Sequence, residues 1–129
     1  MATLSKMDAD LVGAAGHGHP HPAVTARTLY VTASTQAEAE KISRTIVEER
    51  LAACANVLGP IRSFYWWQGK VQDEGEVAFL LKTSPELVEA VVARIKQLHS
   101  YSVPCVVQWP IVGGNPDYIR WVENETKGS

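Results

Sequence analysis

RLAACANVLGPIRSFYWWQGKVQDEGEVAFLLKT, residues 50–83, is the stretch whose reading decides the fold. Two runs rich in β-branched and aromatic residues flank Gln68-Gly69, with Trp67 before the turn and Lys70 after it. Gly69 supplies the positive φ that a short hairpin loop requires, so the stretch reads as two long strands joined by a tight turn. Gly59-Pro60 interrupts the first strand and Gly75 the second, and each is an expected bulge. Trp66 and Trp67 are adjacent, and neighbours on a pleated strand point to opposite faces. A two-layer domain buries only one of them against its own helices, so the other needs cover from outside the protomer.

Upstream, residues 28–34 (TLYVTAS) alternate Leu29, Val31 and Ala33 against Tyr30 and Thr32, a strand with one wholly apolar face. Thr35 followed three residues later by Glu38 has capping-box spacing. Ala39, Ile42, Ile46 and Val47 then recur at helical intervals, which predicts an amphipathic helix reaching Leu51. Downstream, Ser84-Pro85 reads as an N-cap with proline at the first helical position, and Leu87, Val88, Val91, Val92, Ile95 and Leu98 form the apolar stripe of a second helix. Pro104 blocks its continuation, residues 105–109 read as a short strand ended by Pro110, and Pro116 opens a short last helix.

Strand, helix, strand, strand, helix, strand and a terminal helix make an α+β, ferredoxin-like split βαβ repeat with a long β-hairpin arm and a C-terminal helix. This domain is expected over residues 27–129. Residues 1–26 carry GHGHPHP, with His17, His19 and His21 at alternate positions, and read as a flexible, solvated tail with no carboxylate or thiolate nearby to complete a metal shell. On the sheet face away from the helices, Tyr30, Ala78, Leu80 and Val106 are expected to form a second apolar surface. Burying each large side chain is worth roughly 1.5–3 kcal/mol, which favours a homo-oligomer.

Composition excludes several classes. With 46% hydrophobic and 20% charged residues, a net charge of -2 and scattered Lys and Arg, there is no electrostatic footprint for nucleic acid. No apolar run approaches the roughly 18 residues of a membrane span, and the N-terminal stretch lacks the h-region of a secretory signal. Two distant cysteines, Cys54 and Cys105, are a poor disulfide framework and fit a reducing, cytoplasmic compartment. Nucleophilic catalysis is not indicated: no GxSxG, no phosphate-cradling glycine loop, and no His placed beside a Ser or Cys with an orienting acid, so the chain reads as a non-enzyme.

The candidate site residues are few. His99 at a helix end and Cys105 beyond Pro104 are two metal donors that would need others to fill a tetrahedral shell. Cys54, between alanines, reads as a packed thiol with no base or cation beside it. Trp67, Lys70, Lys82 and Tyr101 are candidates to line a cleft between subunits, where a small anion or metabolite would sit. Asp73, Glu74 and Glu76 lack the ligand count and fixed glycine of a calcium loop.

Taken together, RLAACANV, SFYWWQGKV, LLKTS, HSYSVPC and GNPDYIRWV, in this order and spacing, resemble the CutA divalent-cation tolerance family over residues 28–125. The resemblance implies a ferredoxin-like protomer in a tight homotrimer, with sheets packed face to face and hairpin arms paired with neighbours, in the manner of PII signalling trimers. It also implies a cytoplasmic protein linked to tolerance of copper and other divalent cations, with no enzymatic activity and no obligatory cofactor. The copper ligands described for some bacterial members, a cysteine, a histidine and a glutamate, align with Val31, Leu98 and Cys105. Of these only Cys105 has a donor atom, a soft one suited to Cu(I) or zinc.

Overall fold

The computed structural model describes residues 25–126. Its elements are β1 (Arg27–Ala33), α1 (Gln36–Glu48), β2 (Cys54–Trp67), β3 (Lys70–Thr83), α2 (Val88–Leu98, entered through a 3-10 turn at Pro85–Leu87), β4 (Val106–Pro110) and α3 (Pro116–Glu125). The histidine-bearing segment read as a tail lies outside the described residues, although Ala26 is already fully buried before β1 begins.

All pairings are antiparallel and the strand order is β2-β3-β1-β4, the ferredoxin-like arrangement. Alternation along the central strands builds the core. Leu29, Val31 and Ala33 of β1, with Phe79 and Leu81 of β3, pack against Ala39, Ile42 and Ile46 of α1 and Val91 and Ile95 of α2. The capping-box spacing gives a cap with an altered partner. Thr35 Oγ1 accepts from the Glu38 N–H at 3.1 Å, but the Glu38 carboxylate reaches one residue further back, to the N–H and hydroxyl of Ser34.

Both helix ends differ from the sequence expectation. α1 stops at Glu48 rather than Leu51, because Arg50 adopts φ 60 and closes a Schellman turn, its N–H on Val47 O at 2.9 Å and that of Leu51 on Ile46 O at 3.0 Å. Ser84 makes no side-chain cap: the Leu87 N–H is already satisfied by the Ser84 carbonyl at 3.1 Å. Its hydroxyl turns instead to Thr126 Oγ1, fastening the end of α3 to the start of α2.

The hairpin turn takes positive φ at both Gln68 (51°) and Gly69 (82°), a type I′ geometry that matches the right-handed twist of the strands. One of the two expected bulges is present. The register shifts between Val57 and Gly59, with Gly59 at φ 114, whereas pairing runs unbroken past Gly75, which sits directly opposite Arg62. The inserted residue, Leu58, reverses the alternation of β2. Before it, Ala55 and Val57 face the helices opposite Leu81 and Phe79; after it, Ile61 lies opposite Glu76 and the odd-numbered residues up to Trp67 take the other face.

That open face also corrects the expected position of Val106. Val106 pairs with Val31 and packs on the helix-side core, so Val107 and Trp109 occupy the open face beside Tyr30. Tyr30 lies opposite both Leu80 and Val107, and its ring stacks with Trp109 at 5.9 Å between centroids and 23° between planes.

The two hairpin glycines give a direct test. At the two within-strand positions, Gly59 and Gly75, no atom crowds a Cβ, but of this pair only Gly59 holds a positive φ. In urea unfolding, Gly59→Ala is expected to cost about 1–3 kcal/mol through backbone strain, while Gly75→Ala is expected to be neutral or stabilising by about 0.4–1 kcal/mol.

Candidate functional site

Where the arm leaves the sheet, the open face, the inner face of the hairpin and the segment after α2 enclose a cleft of about 810 Å³. Its floor is Tyr30 and Thr32 of β1, one wall is Tyr65, Trp67 and Glu76, and the other is Tyr101 to Val103 with Cys105. The parity change at Leu58 is what brings Tyr65 and Trp67 to this side.

Glu76 is only 8% exposed, and its Oε2 accepts from the Tyr101 hydroxyl at 2.9 Å. The Tyr65 hydroxyl donates to Glu74 Oε1 at 2.7 Å. Burial, followed by the Glu76 hydrogen bond and charge, pushes the Tyr101 phenol well above its ordinary range. Burial and the Glu76 charge likewise raise the Cys105 thiol, against a smaller opposing effect of a Thr32 hydrogen bond. Cys105 is therefore a protonated thiol at neutral pH, a weak nucleophile until a metal displaces its proton.

His99 stands behind the cleft wall rather than in it. The ring is buried; Nδ1 accepts from the Tyr101 N–H at 3.0 Å, which assigns the proton to Nε2, and Nε2 donates to Thr32 O at 2.7 Å. Both nitrogens are spent on the backbone, so the side chain pins the 99–101 segment to β1. Glu38 completes this joint from α1: its Oε2 accepts from the Ser100 N–H at 2.7 Å and lies 3.7 Å from His99 Nδ1.

Of the residues singled out in the sequence, Trp67, Tyr101 and Cys105 share the cleft. Lys70 is exposed at the hairpin tip. Lys82 lies at the far end of β3, donating to Asn56 Oδ1 at 3.1 Å and standing 5.9 Å above the Tyr118 ring. Cys54 is the cross-strand partner of Lys82, and Tyr118 Oη is 3.4 Å from its sulfur. Glu76, Tyr30 and Tyr65 were not singled out as cleft residues. For Tyr65 the signal was the Gly59-Pro60 interruption, which fixes the parity of β2 beyond it.

The positions aligned with the bacterial copper ligands do not converge on a donor set. Val31 is fully buried in the core, Leu98 packs against the same core, and Cys105 is exposed. No group of three or more His, Cys, Asp or Glu side chains placed to hold a metal occurs among the described residues. The hairpin carboxylates are divided between two faces: Asp73 takes the fork of Arg62, at 2.5 and 3.2 Å, while Glu74 and Glu76 take tyrosine hydroxyls on the other side.

A ferredoxin-like α+β protomer with a projecting hairpin arm, an uncovered apolar sheet face and a cleft at their junction is the class of protein that this geometry defines. The chain belongs to the CutA1 divalent ion tolerance family, whose model matches residues 27–125. It is 43% identical over 99 residues to the divalent-cation tolerance protein CutA of Pyrococcus horikoshii, covering 77% of this chain and 96% of that one. It is 40% identical over 101 residues to the chloroplastic protein CutA 1 of rice, covering 78% of this chain. The chain spans only 57% of the rice relative and 63% of the mouse protein CutA. Among solved structures, CutA1 from rice superposes with a TM-score of 0.78 at 39% identity, covering 82% of this chain and 97% of that one. The Cut A1 protein of Thermus thermophilus gives 0.77 at 36%, covering 79% and 99%.

The Glu38 joint predicts an acid dependence. Burial alone would raise this carboxyl, but hydrogen bonds from Ser34 and Ser100 outweigh it and hold it at about 2, below its ordinary 4.5. Its contribution is complete above the unfolded value and disappears as pH falls toward the folded one. Glu38→Gln is expected to lose about 1.5–3 kcal/mol at neutral pH and to show a shallower fall in unfolding free energy below about pH 5, measured by urea titration.

Proposed function

We infer that the chain is a non-enzymatic divalent-cation tolerance protein that acts in the cytoplasm as a homotrimer. One observation carries the assembly: apolar surface is concentrated on the open sheet face and the arm. Val107 and Trp109 are 49% and 45% exposed, and on the arm Phe64 and Trp66 are 67% and 74% exposed. A lone protomer would leave this surface in water, and a long apolar hairpin projecting from a sheet invites strand pairing unless it is covered. Copies of the same chain provide that cover in one step. The tolerance role is supported by relatives that carry that name over almost their whole length.

The metal contact in this reading is weak and uses ligands other than those of the copper-binding members. Cys105 is its soft donor, suited to copper, and His99 contributes none because both ring nitrogens are already bonded. The second reading, a PII-like signalling trimer that senses a small ligand, is favoured by the cleft itself, whose volume lies within the roughly 300–1,000 Å³ of small-molecule sites.

Sedimentation at micromolar concentration is expected to give three times the protomer mass of 14.1 kDa, and Trp109→Glu to shift the chain toward the protomer. A well-folded 14.1 kDa species in the unaltered chain would overturn the assembly. Calorimetric titration with Cu(I), Cu(II) and Zn(II) tests the metal contact, and no heat from any of the three would remove it.

A further inference from the structure

The cleft is large enough for many ligands, but its charge and lining narrow the class. Glu76 is buried, and the Tyr101 hydroxyl occupies only one of its two oxygens. Among the described residues no cation pairs with it. Arg62 is the single cationic residue of the lining, and its guanidinium is forked on Asp73, on the other face of the hairpin. The second oxygen is open to a ligand that brings the missing counter-charge, and charge-assisted hydrogen bonds are the strong ones.

Near this carboxylate stand Tyr30, Tyr65 and Tyr101, while Trp67 lines the cleft further out along the arm, beyond Ile61, the cross-strand partner of Glu76. Aromatic faces carry negative quadrupole density and attract organic cations, whose diffuse charge tolerates a mostly apolar surface. An anion would meet Glu76 without a free base to offset it. A divalent metal would find Glu76 and Cys105 but no third ligand on the protomer, and the pair mixes a hard donor with a soft one.

We propose that the cleft binds a small organic ammonium ion, its charge against Glu76 and its body among the tyrosine rings. This rests on the small-ligand reading of the cleft and specifies the ligand that reading leaves open. It also assigns Tyr65, on the arm, as a contact residue, so occupancy would tie the arm to the sheet.

The test uses the full chain as it assembles, with three probes in calorimetry and ligand-observed NMR: choline, its uncharged carbon analogue 3,3-dimethylbutanol, and inorganic phosphate. Choline is expected to bind and the neutral analogue to bind about tenfold more weakly or not at all. Glu76→Gln and, independently, Tyr65→Ala are each expected to lower choline affinity about tenfold, with the sedimented mass unchanged. Equal binding of choline and the neutral analogue overturns the proposal, as does undiminished binding by Glu76→Gln. Phosphate binding without choline binding overturns the cation assignment and leaves the small-ligand reading standing; silence for all three probes overturns both. Loss of the assembled mass in Glu76→Gln would assign the carboxylate to a neighbouring subunit's side chain and likewise overturn the proposal.

Discussion

One extra residue in β2 governs the upper half of the molecule. A strand has a side-chain period of two, so an insertion exchanges the faces of everything that follows it. With Leu58 inserted, Ala55 and Val57 serve the helix-side core while Tyr65 and Trp67 serve the opposite side. The backbone accepts the kink because Gly59 has no Cβ to clash at φ 114. Were the same sequence to pair without the bulge, the arm would present Phe64 and Trp66 toward Tyr30, and Glu76 would lie across from Pro60 instead of Ile61.

The same constraint explains which parts of the fold were legible. Leu29, Val31 and Ala33 announce a one-faced strand, and the stripes through Ile42 and Ile46 and through Val91 and Ile95 announce helices, because a buried core enforces these periods directly. The Gln68-Gly69 turn was legible for a related reason, since few residue pairs accept two positive φ values. Gly75 looked like a bulge and is not one. Beyond the helices no core enforces a side chain at that position, so a glycine there carries no structural message. Val106 was placed on the wrong face because a five-residue strand has too few positions for alternation to declare itself, and only the pairing with Val31 settles it.

The candidate site was less legible, for a physical reason. Its residues come from four segments far apart in sequence, and two of the groups that matter most, Glu76 and His99, act through partners that no local pattern specifies. His99 looked like a metal donor because imidazole at a helix end is usually free to turn. Here Thr32 O and the Tyr101 N–H use both nitrogens, and Glu38 closes the joint from the first turn of α1. One polar cluster thus ties β1, α1 and the segment after α2 together and fixes the wall on which Tyr101 and Cys105 stand.

Rigidity on one side of the cleft contrasts with the other. The His99 joint behind one wall is buried and bonded at both ring nitrogens, whereas the Tyr65 and Trp67 wall belongs to a two-stranded arm that has outrun its helices. A two-stranded ribbon is only marginally stable on its own, so the arm needs an additional surface to hold its position. The two proposals would each supply one: a neighbouring copy against Phe64 and Trp66 on the outer face, and a ligand in the cleft against Tyr65 on the inner one. In the proposed assembly and ligand site, Trp66 and Trp67 would be covered from opposite faces of one ribbon. Cover on either face reduces the freedom of the arm, and the second partner to arrive finds part of that ordering already done.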